Sequence, residues 1–192
     1  MSAKTGFDRT KLWPWLAISA AFVVTAILLR VEGRLWLCAC GTIRIWSGQV
    51  CSANNSQHFL DPYSFTHLLH GVLFFWVIYW LARSWRSMSQ LLLATAAEAA
   101  WEVLENSNFI IDRYRTATAA LGYNGDTVVN SFGDILCCIA GFVIAQRLGW
   151  RRSLIVFAVV ELILIIWIHD SLLLEVVMLI APINAIKAWQ MC

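Results

Sequence analysis

The sequence carries few charged residues: only 14% of its 192 residues are Asp, Glu, Lys or Arg, while 60% are hydrophobic. Soluble domains are about one quarter charged and about half apolar, so a soluble domain of this length would lack the polar surface to cover its core. The chain is also too apolar to be intrinsically disordered. The composition therefore predicts an integral membrane protein.

Three further absences narrow the possibilities. The net charge is only +2 and no basic run is present, which excludes nucleic acid as a predicted partner. The chain has no internal repeat and no Gly/Ser-rich linker, so residues 1–192 are predicted to form one domain. It also lacks an HExxH motif, so any metal site must be assembled from residues scattered along the sequence.

The apolar runs predict an all-α polytopic bundle of about five transmembrane helices, because roughly 20 apolar residues cross a bilayer. The predicted spans are 12–29, 64–82, 88–104, 128–146 and 153–168. The apolar stretch 172–181 is too short to cross, so we expect it to be re-entrant, interfacial or packed on the bundle, with six spans as the alternative. The first run is better explained as a retained anchor than as a cleaved signal peptide, because charges follow it directly.

Basic residues predict the orientation of the bundle. They gather before the first span, between the second and third spans, and between the fourth and fifth. These residues are Lys4, Arg9, Lys11, Arg83, Arg86, Arg147, Arg151 and Arg152. The positive-inside rule places them, and the N-terminus, in the cytoplasm. The loops at about 31–63 and 105–127 then face outward.

Polar residues within the predicted spans fall on single helical faces, since residues three or four apart are neighbours on a helix. They are His67 and His70; Glu98, Glu102 and Glu105; and Asp126, Asn130 and Asp134. An ionisable residue within a span costs at least about 2.5 kcal/mol and is by default functional. All three groups lie in the outward halves of their helices, which predicts one pocket open to the outside. Glu161, His169 and Asp170 are further candidates for it.

Two chemistries require such a pocket. In the first, His67, His70, Glu102 and Asp134 bind a divalent metal (zinc, manganese or iron), and these residues with Asp126 act in catalysis. In the second, the same groups form a proton or cation path. A third interpretation is that they only join helices by hydrogen bonds.

The loop between the third and fourth spans contains the sequence Asp112-Arg113-Tyr114-Arg115. Arg113 and Arg115, with Asn130, are predicted to bind an anionic lipid head group. Local pairing of these arginines with Asp112 or Glu105 is the alternative.

The cysteines divide between the predicted outward loop and the fourth span. Cys38, Cys40 and Cys51 lie in the loop, where oxidation is permitted. We expect a disulfide from Cys51 to Cys38 or Cys40 and disfavour a Cys38–Cys40 bridge as strained. A zinc site that includes His58 is the less favoured alternative. Cys137 and Cys138 are predicted to be packing residues.

Several motifs resemble the signature of one bacterial family. They are Trp46-Ser47-Gly48, Asn55 to His58, Ser64 to Gly71, Trp101-Glu102, Glu105-Asn106-Ser107, Ile111 to Arg115, Gly125-Asp126 and Asn130-Ser131. The family is an uncharacterised group of multi-pass inner-membrane proteins with a domain of unknown function. The resemblance covers nearly the whole chain and implies a bacterial inner-membrane location, but no reaction. More weakly, the His, Glu and Asp order is similar to that of VanZ-like membrane proteins.

Three functions follow from the sequence. The first is a metal-dependent hydrolase or transferase that acts on lipid or another envelope substrate. The second is a small proton- or ion-coupled transporter. The third is a non-catalytic membrane partner or assembly protein.

Overall fold

A computed structural model describes residues 9–118 and 122–191, and over these ranges the chain is helical, with a single isolated β-bridge between Trp46 and Leu60. The helices are α1 (Arg9–Val31), α2 (Ser64–Leu81), α3 (Ser87–Glu105), α4 (Asn108–Ala117), α5 (Val128–Leu148), α6 (Trp150–Ile168), α7 (Leu172–Ile180) and α8 (Asn184–Gln190). The predicted all-helical class is confirmed. Lys4, which contributes to the predicted orientation, lies outside the described residues.

The five predicted spans coincide with α1, α2, α3, α5 and α6, but fewer helices are apolar enough to cross a membrane. Within the described ranges, Leu12–Val31, Ser64–Leu81 and Val128–Leu148 meet that requirement. A fourth span results if α6 and α7, which meet at a 74° bend, form one broken span. The third helix, α3, is not among these candidates, because Gln90, Glu98 and Glu102 lower its hydropathy.

Helices α2 and α5 pack most extensively against each other and form the centre of the bundle. Glycine brings their backbones into contact. A Cβ at Gly71 would lie 2.0 Å from the Cys138 carbonyl oxygen, and one at Gly141 would lie 1.9 Å from the Leu68 carbonyl oxygen. Small residues allow this approach between membrane helices. The close packing fixes α5 against the face of α2 that carries Leu68 and Gly71.

The remaining long helices surround this pair. Helix α1 packs against α3 and also touches α5, where the Phe22 and Phe132 rings meet edge to face at 5.1 Å. Helix α3 contacts α2 and α5, and α6 packs on the other side of the same pair. The first halves of α2 and α5 and the end of α3 thus lie at the same end of the bundle.

The loops at this end are joined to each other. Gln57 Nε2 donates to the Gly125 carbonyl oxygen at 2.9 Å, and Thr127 N donates to the Ser56 carbonyl oxygen at 3.1 Å. These bonds connect the segment before α2 to the segment before α5. The loops that precede α2 and α5 are therefore held together at this end of the bundle.

Candidate functional site

Two histidines of α2 share one carboxylate of α3. His67 Nδ1 lies 2.6 Å from Glu98 Oε1, and His70 Nδ1 lies 3.1 Å from Glu98 Oε2. Glu98 has no exposed surface, and His67 is also buried. Because residues three apart lie on one helical face, α2 presents both rings to the same point of α3. The structure thus brings the predicted His and Glu residues together.

Glu102 lies one helical turn from Glu98 and faces the same histidine. Its Oε1 atom is 3.2 Å from His67 Nδ1, and the side chain is fully buried. Among the described residues, neither carboxylate oxygen of Glu102 has a hydrogen-bond partner. Buried polar atoms are nearly always paired, so an unpaired carboxylate here requires an explanation.

Asp134, on α5, adds a residue from a third helix to the group formed by α2 and α3. It is buried and lies within electrostatic range of His67 and Glu102. Its Oδ1 atom also has no hydrogen-bond partner in the described part of the chain. We refer to His67, His70, Glu98, Glu102 and Asp134 as the His/Glu/Asp cluster.

The geometry of this cluster is compatible with metal coordination. Ligand atoms of His67, His70 and Glu98 all lie within 4.8 Å of one another, and the same holds for His67, Glu102 and Glu105. Imidazole nitrogen and carboxylate oxygen are the ligands that zinc, manganese and iron accept. The donor set and the unpaired oxygens of Glu102 therefore fit a divalent cation.

Glu105, at the end of α3, connects the cluster to helix α4. Tyr114 Oη donates to Glu105 Oε1 at 2.9 Å, which leaves Oε2 of this buried carboxylate without a partner among the described residues. Tyr114 was not predicted as a site residue. Its role depends on the turn between α3 and α4, where Ser107 caps α4 by accepting a hydrogen bond from Ile110 N.

Asp126 lies beside the cluster and is held by residues that precede and follow the α4 segment. Asn106 Nδ2 donates to Asp126 Oδ2 at 2.8 Å, and Tyr123 Oη donates to Asp126 Oδ1 at 2.9 Å. Asn106 Nδ2 also donates to the Glu102 carbonyl oxygen at 3.0 Å. Burial raises the pKa of Asp126 above its ordinary value, and the hydrogen bonds from Asn106 and Tyr123 oppose that rise.

Asp61, in the loop predicted at about 31–63, is a further buried carboxylate of the site and is not among the predicted site residues. Its oxygens accept hydrogen bonds from Ser56 N at 3.0 Å and Tyr63 N at 2.8 Å. The predicted site residue Asn130 donates to Asp61 Oδ2 at 3.4 Å, so Asn130 contacts a carboxylate. Burial, and then the nearby charge of Asp126, raise the pKa of Asp61 to about 6. The position of Asp61 just before the first turn of α2 could have identified it as a site residue from the sequence.

The two predicted head-group arginines contact backbone carbonyls. Arg113 Nε donates to the Leu179 carbonyl oxygen at 2.8 Å, at the end of α7. Arg115 Nε donates to the Tyr123 carbonyl oxygen at 2.6 Å, and its guanidinium lies 3.7 Å from the exposed Asp112 carboxylate. The alternative of local pairing with Asp112 thus describes Arg115. Among the described residues, neither arginine forms a hydrogen bond or ion pair with the cluster, and head-group binding stays a prediction.

The cluster is enclosed, so the expectation of an open pocket is wrong for this structure. Glu98 and Glu102 have no exposed surface. His70 is the most accessible member of the His67, His70 and Glu98 group, with 14% of its side chain exposed. A cavity of about 390 Å³ lies at the other end of α2, where it is lined by Tyr79, Arg83 and Gln90.

The other polar candidates form a separate group around the bend between α6 and α7. Asp170 accepts hydrogen bonds from Gln190 Nε2 at 2.9 Å and Tyr63 Oη at 3.4 Å. Glu161 Oε2 accepts from Leu173 N at 3.3 Å. The His169 ring contacts Trp189, with centroids 4.9 Å apart. These contacts hold the bend in place. Among the described residues, Glu161, His169 and Asp170 form no hydrogen bond with the cluster.

The loop cysteines differ from expectation. Cys38 and Cys40 form a disulfide, with Cα atoms 5.1 Å apart, a separation that lies within the usual range for bridged cysteines. Cys51 is not a free thiol either, so its predicted pairing with Cys38 or Cys40 stays a prediction. Cys138 is fully buried between helices, as predicted for a packing residue.

Known proteins resemble this chain over nearly its full length. Residues 29–192 match the model of the family described as "Protein of unknown function (DUF2585)". A UPF0314 protein of Sphingopyxis alaskensis is 43% identical over 185 residues, which cover 96% of this chain and 97% of the relative. One of Sinorhizobium fredii is 44% identical over 192 residues, covering 99% and 98%. No solved structure matches. The predicted family resemblance is confirmed, while similarity to VanZ-like proteins stays a prediction.

Proposed function

The chain belongs to the DUF2585 family of proteins of unknown function, and we propose that it is a metal-dependent hydrolase or transferase of the bacterial inner membrane. Its substrate is a lipid or another envelope component that reaches the cluster from the outer side of the bilayer. The apolar helices support a membrane location. The positive-inside rule, applied to the loops, supports the orientation.

One observation carries this proposal: both carboxylate oxygens of Glu102 are buried without a hydrogen-bond partner among the described residues, and their nearest cationic group is His67, 3.2 Å from Oε1. Leaving a buried acceptor without a partner costs about 1–3 kcal/mol, and more for a charged group. A bound divalent cation removes this cost, because it takes the carboxylate and imidazole as ligands. Hydrogen bonding between helices alone does not account for the unpaired oxygens.

The residues divide the chemistry between them. His67, Glu102 and Asp134 would hold the metal, which, when bound, would polarise a carbonyl or phosphoryl oxygen and activate water. Glu98 holds the His67 and His70 rings in fixed orientations, which is the common role of a carboxylate behind ligating imidazoles. Glu102 and Asp134 supply the unpaired oxygens, as ligands or as the group that accepts a proton from water. His70 is the cluster's exposed edge and marks the route by which substrate enters.

A second candidate function is a proton path, and it also has a specific observation in its favour. His70, Glu98 and His67 form a continuous hydrogen-bonded chain. Ionisable chains within a bundle carry protons in pumps and transporters. The two functions predict different measurements: the first predicts metal bound to the purified protein, and the second predicts proton conduction across vesicle membranes.

The metal content of the purified protein tests the first function. The full-length protein is purified in detergent without reductant, dialysed against a mixture of zinc, manganese and iron salts, and assayed for bound metals by mass spectrometry. We expect about one equivalent in the wild type and loss of most of it in Glu102→Gln and in His67→Ala, because both changes remove a ligand.

Glu161→Gln is the matched control, because Glu161 is also a buried glutamate of a long helix but lies outside the cluster. It should keep the metal. Equal metal in all variants, or none in a folded wild type, contradicts the proposal. If the protein binds no metal but conducts protons in vesicles, and Glu98→Gln stops that conduction, the second function replaces the first.

A further inference from the structure

A second group of metal-binding side chains lies in the loop between α1 and α2, outside the His/Glu/Asp cluster. Ligand atoms of Cys38, Cys40 and His58 all lie within 4.8 Å of one another. Cys38 and His58 are buried, with 9% and 2% of their surfaces exposed. Cys40 N donates to Cys38 Sγ at 3.1 Å, so the short Cys-Ala-Cys segment turns both sulfurs to one side.

The buried ring of His58 also indicates a ligand at this site. Its Nε2 atom is buried and has no hydrogen-bond partner among the described residues. The Phe59 and Leu60 amides, next in the chain, donate to Arg44 and Ile45 carbonyl oxygens at 3.2 and 3.0 Å, which fixes the backbone that carries the ring. The structure therefore places a buried imidazole nitrogen without a hydrogen-bond partner beside two sulfurs.

We propose that this loop binds a zinc ion through Cys38, Cys40 and His58 once the Cys38–Cys40 disulfide is reduced. Zinc takes four ligands, and two cysteines with one histidine leave the fourth position to water. The site does not depend on the function proposed above.

The disulfide and the zinc site are alternative states of the same sulfurs. The Cys38–Cys40 bridge must first be reduced by a dithiol, which delivers two electrons and two protons and becomes a disulfide itself. The two resulting thiols then lose their protons to water as zinc binds to the thiolates. Zinc binding therefore requires reducing conditions, whereas the His/Glu/Asp cluster is indifferent to them.

The test uses full-length protein in detergent, reduced with dithiothreitol, freed of reductant under argon and titrated with cobalt and then zinc. We expect one additional equivalent of metal relative to the oxidised protein. Cobalt should show sulfur-to-metal charge-transfer absorption, which zinc then removes. Cys38→Ser and His58→Ala should lose that equivalent, with at least a tenfold weaker affinity, while Glu102→Gln keeps it.

Two results overturn the proposal. One is the absence of charge-transfer absorption in reduced wild-type protein that still melts cooperatively. The other is an unchanged affinity in both Cys38→Ser and His58→Ala. Serine retains the shape of Cys38, and the melting temperature of each variant shows whether the loop still folds. Because the Glu102→Gln variant tests the other cluster, failure of one site is distinguishable from failure of the other.

Discussion

Glu98 occupies the position from which a single carboxylate orients two histidine rings. Both of its oxygens face His70 Nδ1, at 3.2 and 3.1 Å, and one of them also binds His67. This arrangement satisfies Glu98 and leaves Glu102 without hydrogen-bond partners among the described residues. The two glutamates share a helical face, yet their neighbours give them different roles: one positions the rings and the other offers free oxygens.

Asp61 makes the stability of the protein depend on pH. Its pKa rises from the ordinary 3.8 to about 6 in the folded state. Because its pKa is raised, the folded protein binds the Asp61 proton more tightly than the unfolded chain does. The resulting gain in the free energy of unfolding is fully present below the unfolded pKa and is lost as pH rises through about 6. The total change amounts to about 3 kcal/mol. We expect the melting temperature in detergent to fall between about pH 4 and pH 6.5, and to fall less in Asp61→Asn, which carries no charge to bury.

Asp112→Asn is the control for this measurement, since 73% of the Asp112 side chain is exposed. It should keep the wild-type pH dependence. An equal decline in wild type and Asp61→Asn would show that Asp61 does not titrate in this range. The amide also loses a backbone hydrogen bond, but that cost is the same at every pH.

The members of the cluster that lie on regular helices could be predicted from the sequence. The spacing of Glu98 and Glu102, and of His67 and His70, follows from helical periodicity alone. Asp61 and Tyr114 could not be predicted in this way, because loop geometry brings them to the site. The contact of Arg113 with the end of α7 could not be predicted from the sequence either, because it joins segments far apart in the chain.

At the level of helices, the position of α5 against α2 depends on glycine. Replacing Gly141 with Ala would place a Cβ 1.9 Å from the Leu68 carbonyl oxygen, which is backbone and cannot move aside. Overpacking of this kind costs about 1–3 kcal/mol. We expect Gly141→Ala to lower the melting temperature in detergent and to weaken metal binding, because α5 carries Asp134.

Gly122→Ala is the matched control, because no atom lies within 4 Å of a Cβ built there and its backbone is not left-handed. It should melt as the wild type does. If Gly141→Ala also melts like the wild type, the close contact between α2 and α5 is not as the structure has it.

Helix α3 shows why the number of spans was harder to predict than the positions of the helices. Its length and periodicity identify a helix, and the prediction of residues 88–104 is close to Ser87–Glu105. The same polar residues that build the site make α3 less apolar than a typical span. Hydropathy alone therefore understates how much of a helix lies inside a bundle when that helix carries buried polar residues.

For the whole molecule, the orientation in the membrane can be tested without mutation. Lys187 donates to the Thr116 carbonyl oxygen at 2.6 Å, which places it beside α4 in the loop region predicted to face outward. We expect a membrane-impermeant amine reagent, applied to intact spheroplasts, to label Lys187 but not Lys4 or Lys11. Peptide mass spectrometry reads the result, and permeabilised cells provide the control. Labelling of Lys4 or Lys11 in intact spheroplasts would reverse the orientation.

The most direct test of the metal centre is a crystal structure of the protein dialysed against zinc, with anomalous data collected at the zinc edge. We expect one anomalous peak in the His/Glu/Asp cluster, with metal–nitrogen and metal–oxygen distances of about 2.0–2.2 Å to His67 and Glu102. Density that shows His67 hydrogen-bonded between Glu98 and Glu102, with no anomalous peak among them, would contradict the account.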